Sequence, residues 1–192
     1  MATPLMIPTE ATSKRFDSEY YVEGYATTFD DPYLMFEWDG VKYYERIAAD
    51  ALTGADMSDV IFQYNHAGKV FARISNNTLG VEPVKRGLFV FADLSKSQAA
   101  KELHEEIRNG LITKMSWAFT VAEDSYNKDT HTRTIMKIKK VFDVSAVSIP
   151  ANGNTDISAR SYFDGVIERE KAERLERRRK ILKILLEMEN RK

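Results

Sequence analysis

The segment that best predicts the fold of this chain is Ile112-Thr113-Lys114-Met115-Ser116-Trp117-Ala118-Phe119-Thr120-Val121. Read with the two-residue period of a β-strand, its bulky side chains fall on one face and its small side chains on the other. The bulky face consists of Thr113, Met115, Trp117, Phe119 and Val121, and the small face of Ser116, Ala118 and Thr120. We therefore expect a strand that packs its bulky face on a core and leaves room beside Ser116 for something other than protein.

Two further segments could supply partners for a nucleophilic serine. The apolar run that begins at Val60 ends on His66, and the apolar run 141–149 carries Asp143 as its sole acid. A serine hydroxyl needs a base to take its proton, and the base needs an acid that orients it, so these residue types fit acyl transfer. A lone strand serine is nevertheless more often a solvent-side residue, and a lone histidine at a strand end is more often structural. The acid could instead form a salt bridge with Lys139.

Four ordered segments resemble the prohead proteases of tailed bacteriophages. They are the opening strand Val22–Phe29, the pair Asn65-His66, the strand Met115–Phe119 and the segment Asp143–Ala151. The resemblance covers roughly residues 20 to 157. It implies a serine endopeptidase with Ser116 as nucleophile, His66 as general base and Asp143 as the orienting acid. The third role transfers least firmly, because the related herpesvirus assemblin uses a second histidine there.

The resemblance also implies a biological setting. Members of the family cut the scaffold part of the major capsid protein, and themselves, inside the immature capsid or prohead, in the host cytoplasm. It implies no cofactor and no metal. A rival hypothesis is a non-enzymatic capsid-assembly or scaffold protein that binds partners through its C-terminal helix, which could also support self-association. A hydrogen bond between the Ser116 hydroxyl and a ring nitrogen of His66 would favour the enzyme.

Composition excludes several other classes of protein. The chain has 192 residues, of which 43% are hydrophobic and 30% charged, values typical of a globular protein. Its formal net charge of -1 argues against a general nucleic-acid binder. The absence of cysteine excludes disulfides and thiol catalysis, and the three histidines lack metal-ligand spacing. No apolar run is long enough for a membrane span and no secretion signal is visible, so we expect a cytoplasmic protein.

The remaining pattern predicts an α+β protein that is mainly β with a few helices. Many short strands and one main helix suggest a closed or nearly closed antiparallel β-barrel of the assemblin type. We expect three parts: a flexible N-terminal arm over residues 1–17, a protease barrel domain over 18–158, and a charged helical appendage over 159–192.

Local signals give more detailed predictions. Asp39-Gly40 predicts a hairpin turn, and Ser95 or Ser97 is expected to cap a helix that runs through Asn109. We expect Glu123–His131 to be a polar loop, and His104 and His131 to lie on the surface. The segment 157–162 resembles an exposed link that the enzyme could cut in its own chain. Backbone amides near Asn152-Gly153-Asn154 are a guess for the oxyanion hole.

Overall fold

The computed structural model describes the backbone of residues 5–6, 15–148 and 157–189. The chain divides into two compact units, Met1–Asn152 and Gly153–Lys192. Most of the predicted N-terminal arm, residues 1–17, lies outside the described residues. The part that is described includes a two-residue strand, Leu5–Met6, which pairs with Gly24 and Glu23.

Short strands dominate the described part of the first unit. In chain order its elements are β1 (Leu5–Met6), β2 (Tyr21–Thr28), β3 (Tyr33–Trp38), β4 (Val41–Ile47), β5 (Ile61–Tyr64), β6 (Ala67–Arg73), a 3-10 turn (Ile74–Asn76), β7 (Leu79–Val84), β8 (Gly87–Asp93), α1 (Gln98–Arg108), β9 (Lys114–Asn127) and β10 (Thr132–Val147). This content confirms a mainly β, α+β protein.

The strands form two sheets. The smaller sheet has the order β1-β2-β8-β7 and is antiparallel throughout. The larger sheet is built on β10, which pairs with β9 along one edge from Thr132 to Val147. The other edge of β10 is shared by two parallel strands, β4 near its start and β5 near its end, and β3 and β6 flank them.

The predicted closed antiparallel barrel is not confirmed. Both sheets are open over the described residues, and the larger one is mixed because β4 and β5 run parallel to β10. Strand β2 of the smaller sheet contacts β9 of the larger sheet, but no ladder of backbone hydrogen bonds joins them among the described strands. The sheets therefore meet through side chains instead of closing into one cylinder.

One apolar core joins both sheets and α1. The smaller sheet contributes Val22 and Val90, and the larger sheet contributes Phe62 and Met115, all at most 1% exposed. Trp117 is also buried, as its place on the bulky face of β9 predicts. Burial of such side chains is the main favourable term in folding, and it holds β9 and β10 in fixed positions.

Two local predictions are confirmed. Trp38 pairs with Val41 across a two-residue turn in which Asp39 and Gly40 both have positive φ, as the twist of a tight hairpin requires. Ser97 caps α1, since its hydroxyl accepts a hydrogen bond from the amide of Ala100. Cap and turn chemistry are local properties, so the sequence is enough to predict them.

Two other predictions are wrong. The segment Glu123–His131 is a loop only from residue 128, because β9 continues to Asn127 and forms a long hairpin with β10. Cross-strand ion pairs such as Lys137 with Glu123 support this polar part of the hairpin. His104 is not a surface residue: it is 3% exposed on the inner face of α1, where its ring meets the edge of Tyr20.

The second unit contains α2, which runs from Ile157 to Glu189. Its described side chains are mostly charged, yet Leu175, Ile181 and Leu182 are more than half exposed. The segment 157–162, predicted to be an exposed link, is already helical. None of the helices in the described ranges is long and apolar enough to cross a membrane.

Candidate active site

His66 lies in a tight turn between β5 and β6. Tyr64 pairs with Ala67, so Asn65 and His66 form a two-residue hairpin loop, and both have positive φ, 50° and 57°. Two successive left-handed residues are typical of the type I′ turn, which favours asparagine and glycine. A left-handed conformation costs roughly 1–2 kcal/mol for a residue with a Cβ, so the surrounding contacts must hold His66 in place.

Strand β10 supplies those contacts. The amide of Asn65 donates to the carbonyl of Ala146, 3.0 Å away. The side-chain oxygen of Asn65 accepts a hydrogen bond from the amide of Ser148 at 3.2 Å. The amide of His66 donates to Oγ of Ser145, also at 3.2 Å. These hydrogen bonds attach the turn to Ser145 and Ala146 of β10 and to Ser148, just beyond the end of the strand.

The ring of His66 is paired with Asp143. Nδ1 of His66 lies 2.7 Å from Oδ1 of Asp143, and the two side chains are only 18% and 9% exposed. An ionised carboxylate can only accept, so this contact assigns the proton of a neutral imidazole to Nδ1. The other ring nitrogen, Nε2, is then a lone-pair acceptor. It is buried and has no hydrogen-bond partner among the described residues.

Asp143 lies on a part of β10 that protein covers on both faces. The residues from Asp143 to Val147 are all buried. A register shift between Val141 and Asp143 leaves the intervening Phe142 without a partner in β9, and Phe142 is 44% exposed. Asp143 accepts hydrogen bonds from Ser145 and His66, and no ion pair with Lys139 is found in the described part of the chain.

Ser116 lies on β9, directly opposite Ser145 of β10. Opposed residues of an antiparallel pair point to the same face, with Cβ atoms about 4.5–5.5 Å apart. Ser116 is therefore a cross-strand neighbour of the residue that contacts both His66 and Asp143. It is 8% exposed. Within the described residues no hydrogen bond links its hydroxyl to the ring of His66.

The other two histidines lie outside this group. His104 is on α1 against Tyr20, and His131 is in the β9–β10 turn, where Nδ1 lies 2.9 Å from the hydroxyl of Tyr126. Of the three histidines, His66 is the one that contacts an acid on the strand next to Ser116.

The sequence predicts no role for Ser145, and it indicates Asn65 only as the neighbour of His66 in the Asn-His pair. Ser145 is two residues after Asp143, so the period of a strand already places both side chains on one face. Asparagine tolerates the left-handed region, which is a signal for a turn at Asn65-His66. The residues suggested for an oxyanion hole, Asn152-Gly153-Asn154, lie outside the described residues.

Comparison with known proteins places the chain in a family. A family model described as the caudovirus prohead serine protease matches residues 8–167. Since this match covers most of the chain, the chain belongs to that family and is a serine endopeptidase of bacteriophage capsid maturation. No curated protein and no solved structure matches it.

Proposed function

We propose that this caudovirus prohead serine protease cuts peptide bonds with Ser116 as nucleophile, His66 as general base and Asp143 as the acid that orients the base. The contact between His66 Nδ1 and Asp143 Oδ1 is the observation that carries the assignment. It gives the ring the tautomer a general base needs and leaves Nε2 without a protein partner among the described residues. The cross-strand position of Ser116 supports the choice of nucleophile.

The proposed reaction follows from these positions. Nε2 of His66 takes the proton of the Ser116 hydroxyl while Oγ bonds to the carbonyl carbon of the substrate. The resulting imidazolium is stabilised by the carboxylate of Asp143. Nε2 then returns the proton to the leaving amine, and a water molecule hydrolyses the acyl-enzyme by the same route. The hydrogen bond from Ser116 to Nε2 forms when substrate binds, since catalytic contacts are often looser in the free enzyme.

The substrate we propose is the scaffold part of the major capsid protein, with the enzyme's own chain as a second target. A prohead protease acts within the phage capsid during assembly. Enzyme and substrate confined in one shell meet at high local concentration, so even a modest affinity is sufficient. Because α2 begins at Ile157, a self-cut within 157–162 requires the first turns of that helix to unwind.

Co-expression with the major capsid protein of the same phage tests this function. Wild-type enzyme should shorten the capsid protein, and Ser116→Ala should leave it at full length. Ser125→Ala is a matched control, because Ser125 is an exposed serine on the same strand and should be dispensable. Intact-mass measurement of both proteins reads out capsid processing and self-processing together. Cleavage by Ser116→Ala would refute the assignment, and a full-length enzyme beside a cut capsid protein would refute self-processing.

The exposed apolar side chains of α2 support a separate proposal, that the helix carries the enzyme into the prohead. Leu175, Ile181 and Leu182 are exposed on a helix whose described side chains are mostly charged, and apolar helix faces of this kind dock on partners. We expect an enzyme truncated after residue 160 to keep its peptidase activity but to enter particles less often. Western blotting of purified proheads measures this. Normal packaging of the truncated enzyme would exclude the role.

A further inference from the structure

The hydroxyl of Ser145 is hydrogen-bonded both to the backbone amide of His66 and to Asp143, the acid that contacts the ring of His66. Ser145 is fully buried on β10. Its Oγ accepts a hydrogen bond from the amide of His66 at 3.2 Å and donates one to Oδ1 of Asp143 at 2.7 Å. That same Oδ1 is 2.7 Å from Nδ1 of His66. One hydroxyl thus closes a ring of hydrogen bonds from the histidine backbone, through the acid, to the histidine side chain.

In this arrangement the Ser145 hydroxyl both accepts and donates a hydrogen bond. A serine has one donor and two acceptor lone pairs, so it can serve the amide and the carboxylate at once. Alanine, valine or a carboxylate at position 145 could not serve both partners. A hydrogen bond from a hydroxyl to a carboxylate is charge-assisted and stronger than one between neutral groups.

The Ser145 hydroxyl also helps to hold His66 in its left-handed turn conformation. His66 has a left-handed φ of 57°, a conformation that a residue with a Cβ leaves readily unless contacts hold it. Its amide is bonded to Ser145, while the adjacent Asn65 is bonded to the carbonyl of Ala146. Without the Ser145 hydroxyl the partly buried amide of His66 would lose its partner, and Asp143 would lose one of its two hydrogen bonds.

We infer that Ser145 is a positioning residue of the protease, which fixes both the turn that carries His66 and the carboxylate that orients its ring. The inference rests on the proposed roles of Ser116, His66 and Asp143. Ser145 lies directly opposite Ser116 in the ladder between β9 and β10, so the hydroxyl that contacts His66 and Asp143 is a cross-strand neighbour of the proposed nucleophile. It exchanges no proton with substrate.

The variant Ser145→Ala tests this role with a fluorophosphonate probe, which labels an activated serine and needs no knowledge of the natural substrate. We expect the maximal labelling rate to fall about 10- to 100-fold, because a small misplacement of a catalytic group has effects of this size. The probe concentration at half-maximal rate should change little, since Ser145 is fully buried behind the reacting groups. Thermal melting of each variant separates this loss from unfolding.

Thr134→Val is the matched control. Thr134 is a buried hydroxyl residue on the same strand, and it accepts a hydrogen bond from Arg46 far from His66. Removal of the Thr134 hydroxyl should reduce the stability of the protein without slowing the labelling of the folded fraction. Should Ser145→Ala prove insoluble, Ser145→Cys keeps the side-chain volume and replaces the hydroxyl by a weak donor. It should show the same loss of labelling rate.

A proton NMR measurement adds a readout that does not depend on activity. The Nδ1 proton of His66, held in a short bond to a carboxylate, should give a downfield resonance that His66→Ala removes. We expect this resonance to move or broaden in Ser145→Ala and to stay in place in Thr134→Val. An unchanged resonance, or a labelling rate within twofold of wild type, would overturn the role of Ser145. If Ser116→Ala or His66→Ala is labelled at a rate close to that of wild type, the proposed function itself has failed.

Discussion

The two ends of β10 hold buried carboxylates in different ways. Near its start, Glu45 of β4 is 2% exposed and pairs with Arg133, which is 4% exposed. Arg133 also pairs with Asp124 of β9, and the hydroxyl of Tyr33 donates to Glu45. Near the other end, Asp143 is held by an imidazole and the hydroxyl of Ser145. Both ends are thus hydrogen-bonded networks, but the basic group is a guanidinium at one end and an imidazole at the other.

That difference is the reason why we place the chemistry at the end that carries His66. A guanidinium donates hydrogen bonds but cannot act as a general base, so the network around Glu45 serves structure. An imidazole with its proton on Nδ1 has a lone pair on Nε2, and Nε2 of His66 has no partner among the described residues. His131 also occupies a left-handed turn, with φ 47°, but its Nδ1 is bonded to a tyrosine. His66 and His131 both lie in left-handed turns, so what distinguishes His66 is its contact with the carboxylate of Asp143.

The largest effect should come from removing the nucleophile or the base. Ser116→Ala and His66→Ala should each slow fluorophosphonate labelling or capsid cleavage by about 10⁴-fold or more, because the two groups act as a unit. His131→Ala is the control from the other end of the hairpin and should retain the wild-type rate. A strong loss in His131→Ala that is not due to unfolding would contradict the distinction between the two ends.

Asp143→Asn should come next. The amide keeps the size of the side chain but presents the wrong partner to Nδ1, which in a comparable triad lowers turnover by roughly 10⁴-fold. Far-ultraviolet circular dichroism should show an unchanged fold, and single-turnover kinetics should show the loss. Activity near wild type would mean that the third member of the site lies elsewhere.

Glu45→Gln should have the opposite profile. It leaves a buried Arg133 with one acid in place of two, and breaking a buried pair typically costs about 3–5 kcal/mol of stability. Urea unfolding at neutral pH measures this loss. The labelling rate of the folded fraction should match that of wild type, since Glu45 lies on β4 and has no contact with His66 among the described residues. Slower labelling of fully folded Glu45→Gln protein would show that the network around Glu45 influences the site around His66.

The smallest effect should come from an exposed pair between the two ends. Hydrogen bonds from Lys140 and Ser58 hold the pKa of Asp56 well below its ordinary value of 3.8. A carboxylate with a lowered pKa stabilises the fold above its ordinary pKa, and this contribution is lost as pH falls below that value. Asp56→Asn should therefore be slightly less stable than wild type at pH 7, and the difference should shrink below pH 4. A difference that grows in acid would contradict the shift.

The sequence predicted much of the local structure. The strand around Ser116, the Asp39-Gly40 turn and the cap at Ser97 depend mainly on neighbouring residues, and all three are found. The expected alternation of burial is not found, since Met115, Ser116 and Trp117 are all buried. Polar residues beyond Val121 were misread as a loop because their stabilisation comes from cross-strand pairs, such as Lys137 with Glu123, that are distant along the chain. His104 was misplaced for a related reason, since burial on α1 depends on Tyr20 and the core beneath it.

For the candidate site, the residue types and the family resemblance that joins Ser116, His66 and Asp143 can be read from the sequence. The contact between His66 and Asp143 is visible only in the folded chain. The parallel pairing of β5 with β10 brings the His66 turn to Asp143, and the register of β9 sets Ser116 opposite Ser145. Pairing between strands so far apart depends on the whole core, and no local pattern encodes it. For the same reason the bonds of Ser145, which involve a turn 79 residues earlier, could be found only in three dimensions.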